Sequence, residues 1–246
     1  TMGEEEAAQG DGLPSAEGEK LPMPRGSEEL TSSRKEEIID ACAALYEAVG
    51  FQDVTIRAIG ERTSFTRTAI YNYFQTKEEI FLALLQREQE AWIADLEELL
   101  RTHEALSAEV FAGELGRTLA RRECMLRLES MNLYDIEGRS RLENLVAFKR
   151  VYGRAVSTVG GCLERFFPDM TAEDVQGFLY AFFPFLLGAY PYAVPTEKQR
   201  RAMELAGVAR PPYSLEGLVR ALGIRLLAPF PGKAPATPGV DAAGTV

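Results

Sequence analysis

The chain has 246 residues, 46% of them hydrophobic, which is enough for a small domain fused to a larger one. Its formal net charge of -10, from 27 Lys and Arg against 37 Asp and Glu, argues at first sight against a nucleic-acid binder, because phosphate contacts need cations. The charge is uneven, however: residues 1–30 hold eight acids against Lys20 and Arg25, so the acidity describes that tail more than any other surface.

Helix formers dominate and strict apolar/polar alternation is hard to find, so the expected class is all-α. Residues 1–30, rich in Glu, Gly and Pro, read as a disordered acidic tail. The first helix is predicted to open at Ser33, which has capping-box spacing to Glu36. Ile38, Cys42, Leu45 and Val49 form one apolar stripe, widened by Ile39 and Tyr46, and Gly50 reads as the C-cap. A short helix follows Thr55 and carries Ile56 and Ile59. After a turn at Thr63 and Ser64, Thr66 caps a second short helix predicted to run to about Phe74. Thr76 and Glu79 form another capping box. They open a long helix to about Leu100, with Ile80, Leu84, Ile93, Leu96 and Leu100 on its buried side.

Further helices are expected over 106–120, 122–134, 139–166, 172–189, 196–206 and 214–228. Pro168, Gly188, Pro191, Gly207, Pro211 and Pro212 punctuate them. Thr171 with Asp174 and Thr196 with Gln199 look like helix starts. Residues 229–246, with four prolines among Gly and Ala, read as a disordered tail. The most apolar run, 178–189, is too short for a membrane span, and the acidic N-terminus lacks the apolar segment of a signal peptide. Cys42, Cys124 and Cys162 lie far apart without a CxxC pair and read as buried reduced thiols, which suits a cytoplasmic protein.

The informative stretch is 54–80. Two short helices joined by a tight turn cannot bury a core alone; the helices before and after complete a small bundle. That is helix-turn-helix logic, in which the second helix enters the major groove. Gly50-Phe51, Val54-Thr55-Ile56-Arg57-Ala58-Ile59, Ile70-Tyr71-Asn72-Tyr73-Phe74 and Lys77-Glu78-Glu79-Ile80 follow one another in an order and spacing that resembles the TetR family of bacterial transcriptional repressors. The later part of the chain matches only as helical and of suitable length. Two positions depart from the family pattern: Ser64-Phe65-Thr66 stands where Gly-Val-Ser is usual, and Gly60 where Ala is usual.

The resemblance implies a helix-turn-helix DNA-binding domain over 31–80 and a helical effector-binding and dimerisation domain over 81–228. It implies an Ω-shaped homodimer that binds a near-palindromic double-stranded operator and is released by a small molecule. Arg57, Arg67, Thr68 and Asn72 are the expected base-reading or groove-facing side chains, since Arg favours guanine and Asn adenine. Thr55, Thr66, Tyr71, Tyr73 and Lys77 complete the expected DNA-binding set, with the Thr55 and Tyr71 hydroxyls and the Lys77 ammonium on phosphates. Residues 172–190 and 214–228 are the candidate dimer helices.

In the body, the aromatic run 178–192 is expected to serve as core, subunit interface and part of an apolar ligand pocket. Phe182, Phe183 and Tyr190 are its candidate lining, with Tyr134 and Tyr152 as polar hooks. A body that binds a protein partner, or only dimerises, is the alternative reading. No G-x-S-x-G, GxxxxGK[ST] or HExxH motif points to an enzyme. The lone His103 gives no metal set, and no cofactor is expected. Arg117, Arg121, Arg122 and Arg127 read as a solvated, salt-bridged surface.

Overall fold

The computed structural model describes residues 25–209, 213–230 and 232. The proposed tail over 1–24, Pro211 and Pro212, and residues 233–246 lie outside the described residues. Among the described residues the fold is all-α, with one isolated antiparallel bridge between Ser107 and Gly232.

The elements are α1 (Arg25–Val49), α2 (Ile56–Gly60), α3 (Arg67–Ile70), α4 (Lys77–Thr102), α5 (Ala108–Ala120) and α6 (Glu123–Met131). A π-turn (Asn132–Ile136) and a 3-10 turn (Glu137–Arg139) lead into α7 (Leu142–Phe166). The chain then forms α8 (Ala172–Ala193), α9 (Glu197–Leu205) and α10 (Leu215–Leu227).

Helix α1 starts at Arg25, not at Ser33. No Gly or Pro interrupts 28–33, and once a helix has nucleated, Glu28, Glu29 and Leu30 propagate it at little cost. The predicted Ser33 capping box is therefore interior helix, and residues 25–30, expected in the tail, are helical. At the other end Gly50 takes φ +79° and its N–H bonds the Tyr46 carbonyl, the left-handed cap that its lack of a Cβ allows. The predicted starts of α8 and α9 are both full capping boxes, Thr171 with Asp174 and Thr196 with Gln199.

Ile38, Cys42 and Leu45 of the α1 stripe, with Tyr46, meet Phe51, Val54, Ile59, Ile70 and Phe74 and close on Ile80, Phe81 and Leu84 of α4, whereas Val49, the expected end of the stripe, is 48% exposed. Helix α4 then continues into the body as its spine, packing on α6 and α7 with Trp92, Ile93 and Leu96 buried. Helix α8 does not stop before Pro191: both Pro184 and Pro191 lie inside it. Each proline removes one i→i-4 donor, and Tyr180 and Leu187 carry the carbonyls that lose it.

Helices α5 and α10 approach closely because glycine faces each contact. A Cβ added at Gly116 would lie 2.8 Å from the Glu216 carbonyl oxygen, and one at Gly223 would lie 2.9 Å from Ala112 Cβ. The segment read as a flexible tail from Pro229 is anchored at its start. Phe230 packs on the core, and Gly232, at φ +75°, fits where a Cβ would sit 2.5 Å from the Leu106 carbonyl.

Replacing Gly223 with Val should push α10 off α5 and cost about 1–3 kcal/mol of stability, the usual range for overpacking. Urea unfolding checks this; a midpoint equal to or above the parent's would refute the close-contact argument.

Candidate DNA-reading head and effector cavity

The head is fixed from behind by side chains. The Thr55 hydroxyl caps α2 by accepting from the Ala58 N–H at 3.1 Å. Gly60 lets α3 lie against α2, since a Cβ there would stand 3.2 Å from Arg67 Cα. Thr63 Oγ1 donates to the Gly60 carbonyl at 3.1 Å, and Glu37 of α1 accepts both the Ser64 N–H and, at 2.9 Å, its hydroxyl. Glu37 thus pins the turn that departs from the Gly-Val-Ser pattern.

Helix α3 is only four residues long and does not reach Phe74. The Asn72 and Tyr73 N–H groups bond three residues back, to Ala69 and Ile70, so the chain tightens and turns Phe74 into the core. Thr66 stands at the N-cap position with extended backbone, but its hydroxyl makes no capping bond. The expected Thr66 cap is corrected: the residue is exposed and its hydroxyl is uncommitted to the helix.

Arg67, Thr68, Tyr71 and Asn72 are all exposed. Arg67 Nη2 donates to the Tyr71 hydroxyl at 3.3 Å, and its guanidinium sits 6.0 Å from that ring's centre. Arg57 is also exposed and pairs with Glu61 at 2.9 Å, a surface pair of small energetic weight. Tyr73 is half-buried: its hydroxyl accepts from Arg34 at 3.3 Å and its ring packs on Phe65. Lys77 was expected on a phosphate, and here the structure differs. Its ammonium donates to the carbonyls of Phe51 (2.9 Å), Gln52 (3.2 Å) and Val54 (3.1 Å) and lies over the Phe51 ring. All three N–H donors are spent on closing the loop before α2.

The head joins the body through carboxylates. Thr76 caps α4 by accepting from the Glu79 N–H, but Glu79 does not return the bond expected of a capping box. Its carboxylate takes Arg141 Nε at 2.6 Å, Arg141 Nη2 at 2.9 Å, the Arg141 N–H at 3.0 Å and the Gln75 N–H at 2.7 Å. Burial pushes the Glu79 carboxyl up, yet the Arg141 and backbone donors more than offset it and hold it below its ordinary value. Arg141 Nη2 also reaches the Tyr73 carbonyl at 3.3 Å, Arg139 pairs with Glu78 at 3.2 Å, and Thr76 Oγ1 donates to the Arg139 carbonyl at 3.1 Å.

In the body a cavity of about 220 Å³ lies between α4, α6, the π-turn, α7 and α8. Its apolar walls include Trp92, Phe148, Tyr152, Phe183 and Leu186, and its polar end carries Gln89, Glu129, Asn132, Glu137 and Lys149. Of the expected pocket residues, Tyr152 and Phe183 line it. Tyr134 does not: it is 88% exposed on the π-turn. Phe182 is fully buried core against Phe178 and Phe183, and Tyr190 points instead to Glu123, its hydroxyl donating at 3.2 Å. A larger groove of about 640 Å³, lined by Tyr192, Met203, Val208 and Tyr213, opens broadly to solvent between the end of α8 and α9 and has no buried polar group on its lining.

The polar end is where sequence reasoning fell short. Gln89 Nε2 donates to Glu129 at 2.5 Å, and Asn132 Nδ2 to Glu137 at 2.8 Å. Lys149 reaches Glu137 at 2.6 Å. Burial pushes the Glu129 carboxyl up to about 7, against the Gln89 bond and the Lys149 charge that pull it down. A signal was available: Gln89 interrupts the stripe of Leu85, Trp92 and Leu96, and Glu129 and Asn132 interrupt that of Met125. Cys42 and Cys162 are buried as expected, whereas Cys124 is half-buried; burial pushes all three thiols up to about 12. Among the described residues no group of His, Cys, Asp and Glu is placed to hold a metal ion. No single described helix is long and apolar enough to cross a membrane.

Residues 38–84 match the family model described as bacterial regulatory proteins, tetR family, and residues 86–228 match that of the tetracyclin repressor-like C-terminal domain. The HTH-type transcriptional repressor AcnR of Corynebacterium diphtheriae is 34% identical over 74 residues, 30% of this chain and 38% of AcnR. An HTH-type transcriptional repressor of Mycobacterium tuberculosis is 29% identical over 72 residues, 29% of this chain and 38% of its own. The chain therefore spans about 38% of the length of the curated relatives it matches. Among solved structures, the TetR family regulator PfmR from Thermus thermophilus superposes with TM-score 0.55 at 18% identity over 78% of this chain and 97% of PfmR. The regulator FadR from Bacillus subtilis, in complex with stearoyl-CoA, gives 0.53 at 16% identity over 78% of this chain and 97% of FadR. At such identities the likeness shows the fold.

Glu129 supplies a stability test. Its folded value of about 7 lies above its ordinary 4.5, so between these pH values the folded chain holds more protons than the unfolded one. Wild-type stability should fall as pH rises through that window, by up to roughly 3 kcal/mol relative to Glu129→Gln, which lacks the group. Paired denaturant titrations at pH 5 and 7.5 check it; parallel pH dependence in the two proteins would contradict the assignment.

Proposed function

Because the chain belongs to the TetR family of bacterial regulatory proteins, we propose that it is a homodimeric DNA-binding transcription repressor. In this reading a small molecule in the Trp92 cavity releases it from a near-palindromic operator. The observation that carries the reading is the exposed row of Arg67 and Thr68 on α3 and Tyr71 and Asn72 on the turn after it, a segment whose back is fixed by Glu37, Gly60, Ile70 and Phe74. Arg67 then pairs with a guanine edge and Asn72 with an adenine edge. Thr55, Thr66 and Tyr71 offer hydroxyls to phosphates, and Arg57 lies beside them for a phosphate or base. Tyr73 and Lys77 support the head and take no part in this contact set.

Dimerisation falls to the outward face of α8. Gly177, Tyr180, Ala181 and Pro184 are exposed there, Tyr180 at 73%, and Tyr192 at 82% extends the row. Helix α10, the second expected dimer helix, spends most of its apolar side on α5. Two-fold pairing of heads imposes a palindromic site.

Release follows from linkage: an effector weakens DNA binding only by its preference for the state with the wrong head spacing. The route is short. Asn132 and Glu137 line the cavity, and Arg139 and Arg141, a few residues on, hold Glu78 and Glu79 at the start of α4. An acyl-CoA like that bound by the Bacillus subtilis regulator suits this cavity poorly. The space is small, and its one lining cation, Lys149, is already paired with Glu137.

Selection of duplexes from a random library gives the operator. Against it, Arg67→Ala should lose about 1–3 kcal/mol of affinity and relax choice at one base position per half-site, as for a bidentate base contact. Unaltered affinity and selectivity on the selected duplex would remove α3 from the interface.

A further inference from the structure

The proposed effector reading leaves open what chemistry the cavity accepts, and its polar end answers that. Gln89 and Asn132 are 3% and 2% exposed, and both line the cavity. The amide N–H donors of each are held by a carboxylate, Gln89 by Glu129 and Asn132 by Glu137. That fixes which end of each amide is the oxygen. Both freed oxygens, Gln89 Oε1 and Asn132 Oδ1, are buried and have no hydrogen-bond partner. A buried acceptor without a donor costs free energy that a ligand N–H or O–H recovers. Beside them sits the Glu129 carboxyl, 9% exposed.

The rest of the lining adds acceptors of another kind. Trp92, Phe148, Tyr152 and Phe183 present aromatic surface. Two of these rings already hold a primary ammonium: Lys149 Nζ lies 5.3 Å from the Phe148 centre and 5.6 Å from that of Tyr152 while bonded to Glu137. With Lys149 and Glu137 cancelling, the ionised Glu129 leaves the site with net negative charge. No arginine lines the cavity. A carboxylate or phosphate would meet carboxylates and carbonyl oxygens, and a pure hydrocarbon would leave both oxygens orphaned.

We propose that the cavity takes a small aromatic amine in its protonated form, with the ammonium among Glu129, Gln89 Oε1 and Asn132 Oδ1 and the ring against Trp92 and Phe183. This rests on the reading of the cavity as the effector site. A ring with a short amine arm matches the volume, and the cation gains from aromatic faces and a desolvated carboxylate together.

The charged groups facing Glu129 are Glu137 of the 3-10 turn and Lys149 of α7; the titratable Tyr152 hydroxyl is also near, whereas α8 contributes only apolar surface. With Glu129 protonating at about 7, amine binding should weaken as pH falls below that value.

The test uses the full-length protein and three probes that share a ring and chain length: 2-phenylethylamine, 2-phenylethanol and phenylacetate. Trp92 is the only tryptophan in the chain, so its emission reports occupancy of this cavity directly. Calorimetry gives the affinities. The amine should bind at least about tenfold tighter than either of the others, and Glu129→Gln should erase most of that preference while leaving the weak alcohol affinity in place. If Glu129→Gln does not fold, the three-probe comparison on wild type still decides. Equal or tighter binding of the alcohol or the acid, with Trp92 responding, overturns the amine assignment and leaves the cavity as effector site. No response from any probe overturns both. A Glu129→Gln protein that keeps the full preference overturns the role given to Glu129.

Discussion

The molecule turns on one buried ion pair. Glu79 sits at the first turn of α4 with its side chain wholly out of water, and Arg141 opens α7 more than sixty residues later. Burying a carboxylate is costly, and only full satisfaction makes it tolerable. Four donors supply that, three from Arg141 and one from the Gln75 N–H. Removing Arg141 leaves the buried Glu79 carboxylate with only the Gln75 N–H, whereas Arg141 is a third exposed and keeps Glu143 at 3.3 Å, so it is the carboxylate that makes the pair a joint. Helix α4 begins in the head and runs on as the spine of the body, so this joint ties its first turn to α7 and, through Arg141 Nη2 and the Tyr73 carbonyl, to the segment just after α3.

From this joint the path to the cavity is a single stretch of chain. Met131 ends α6, a π-turn spends one extra residue, and the 3-10 turn brings Arg139 under Glu78. A π-turn is a locally unfavourable arrangement, often kept where a side chain must be aimed. Here it buries Asn132 at the cavity while Tyr134, two residues on, is thrown into solvent. The same stretch thus faces the proposed ligand at one end and the lever at the other. In our reading, whatever moves Asn132 or Glu137 must also strain the Arg139 and Arg141 bonds, and that is a sufficient physical route for coupling without a longer relay.

Local features were legible in the sequence. Thr55, Thr76, Thr171 and Thr196 cap helices because a cap needs only a hydroxyl and three following residues. The apolar stripe of α1 and the buried side of α4 followed from helical periodicity. What escaped was set by distant partners. Glu79 has capping-box spacing, yet Arg141 outcompetes the local bond. Lys77 looks like a free surface cation until the loop of Phe51, Gln52 and Val54 folds back onto it. Arg127, grouped with surface arginines, instead donates to the Tyr46 carbonyl at the end of α1 and lies 3.7 Å from that ring's centre. Aromatic density suggested the cavity, but Phe182 and Tyr190 were absorbed by core and by Glu123. The groups that define its chemistry, Gln89, Glu129 and Asn132, lie on separate elements and meet only in the fold.

The same long-range pairing removes the objection that an acidic chain makes a poor DNA binder. Four acids of the head are held from the body side. Arg87 of α4 bonds Glu36 at 3.1 Å and Asp40 at 2.6 Å, Arg139 takes Glu78, and Arg141 takes Glu79. Glu37 is turned inward onto Ser64. These carboxylates are thereby each engaged by a cation or a donor of the fold. The exposed charges left on the 53–72 segment are Arg57, Arg62 and Arg67 against Asp53 and Glu61. Phosphate attraction falls off within roughly a Debye length, about 8–10 Å in ordinary salt, so the local balance governs an encounter more than the net charge does.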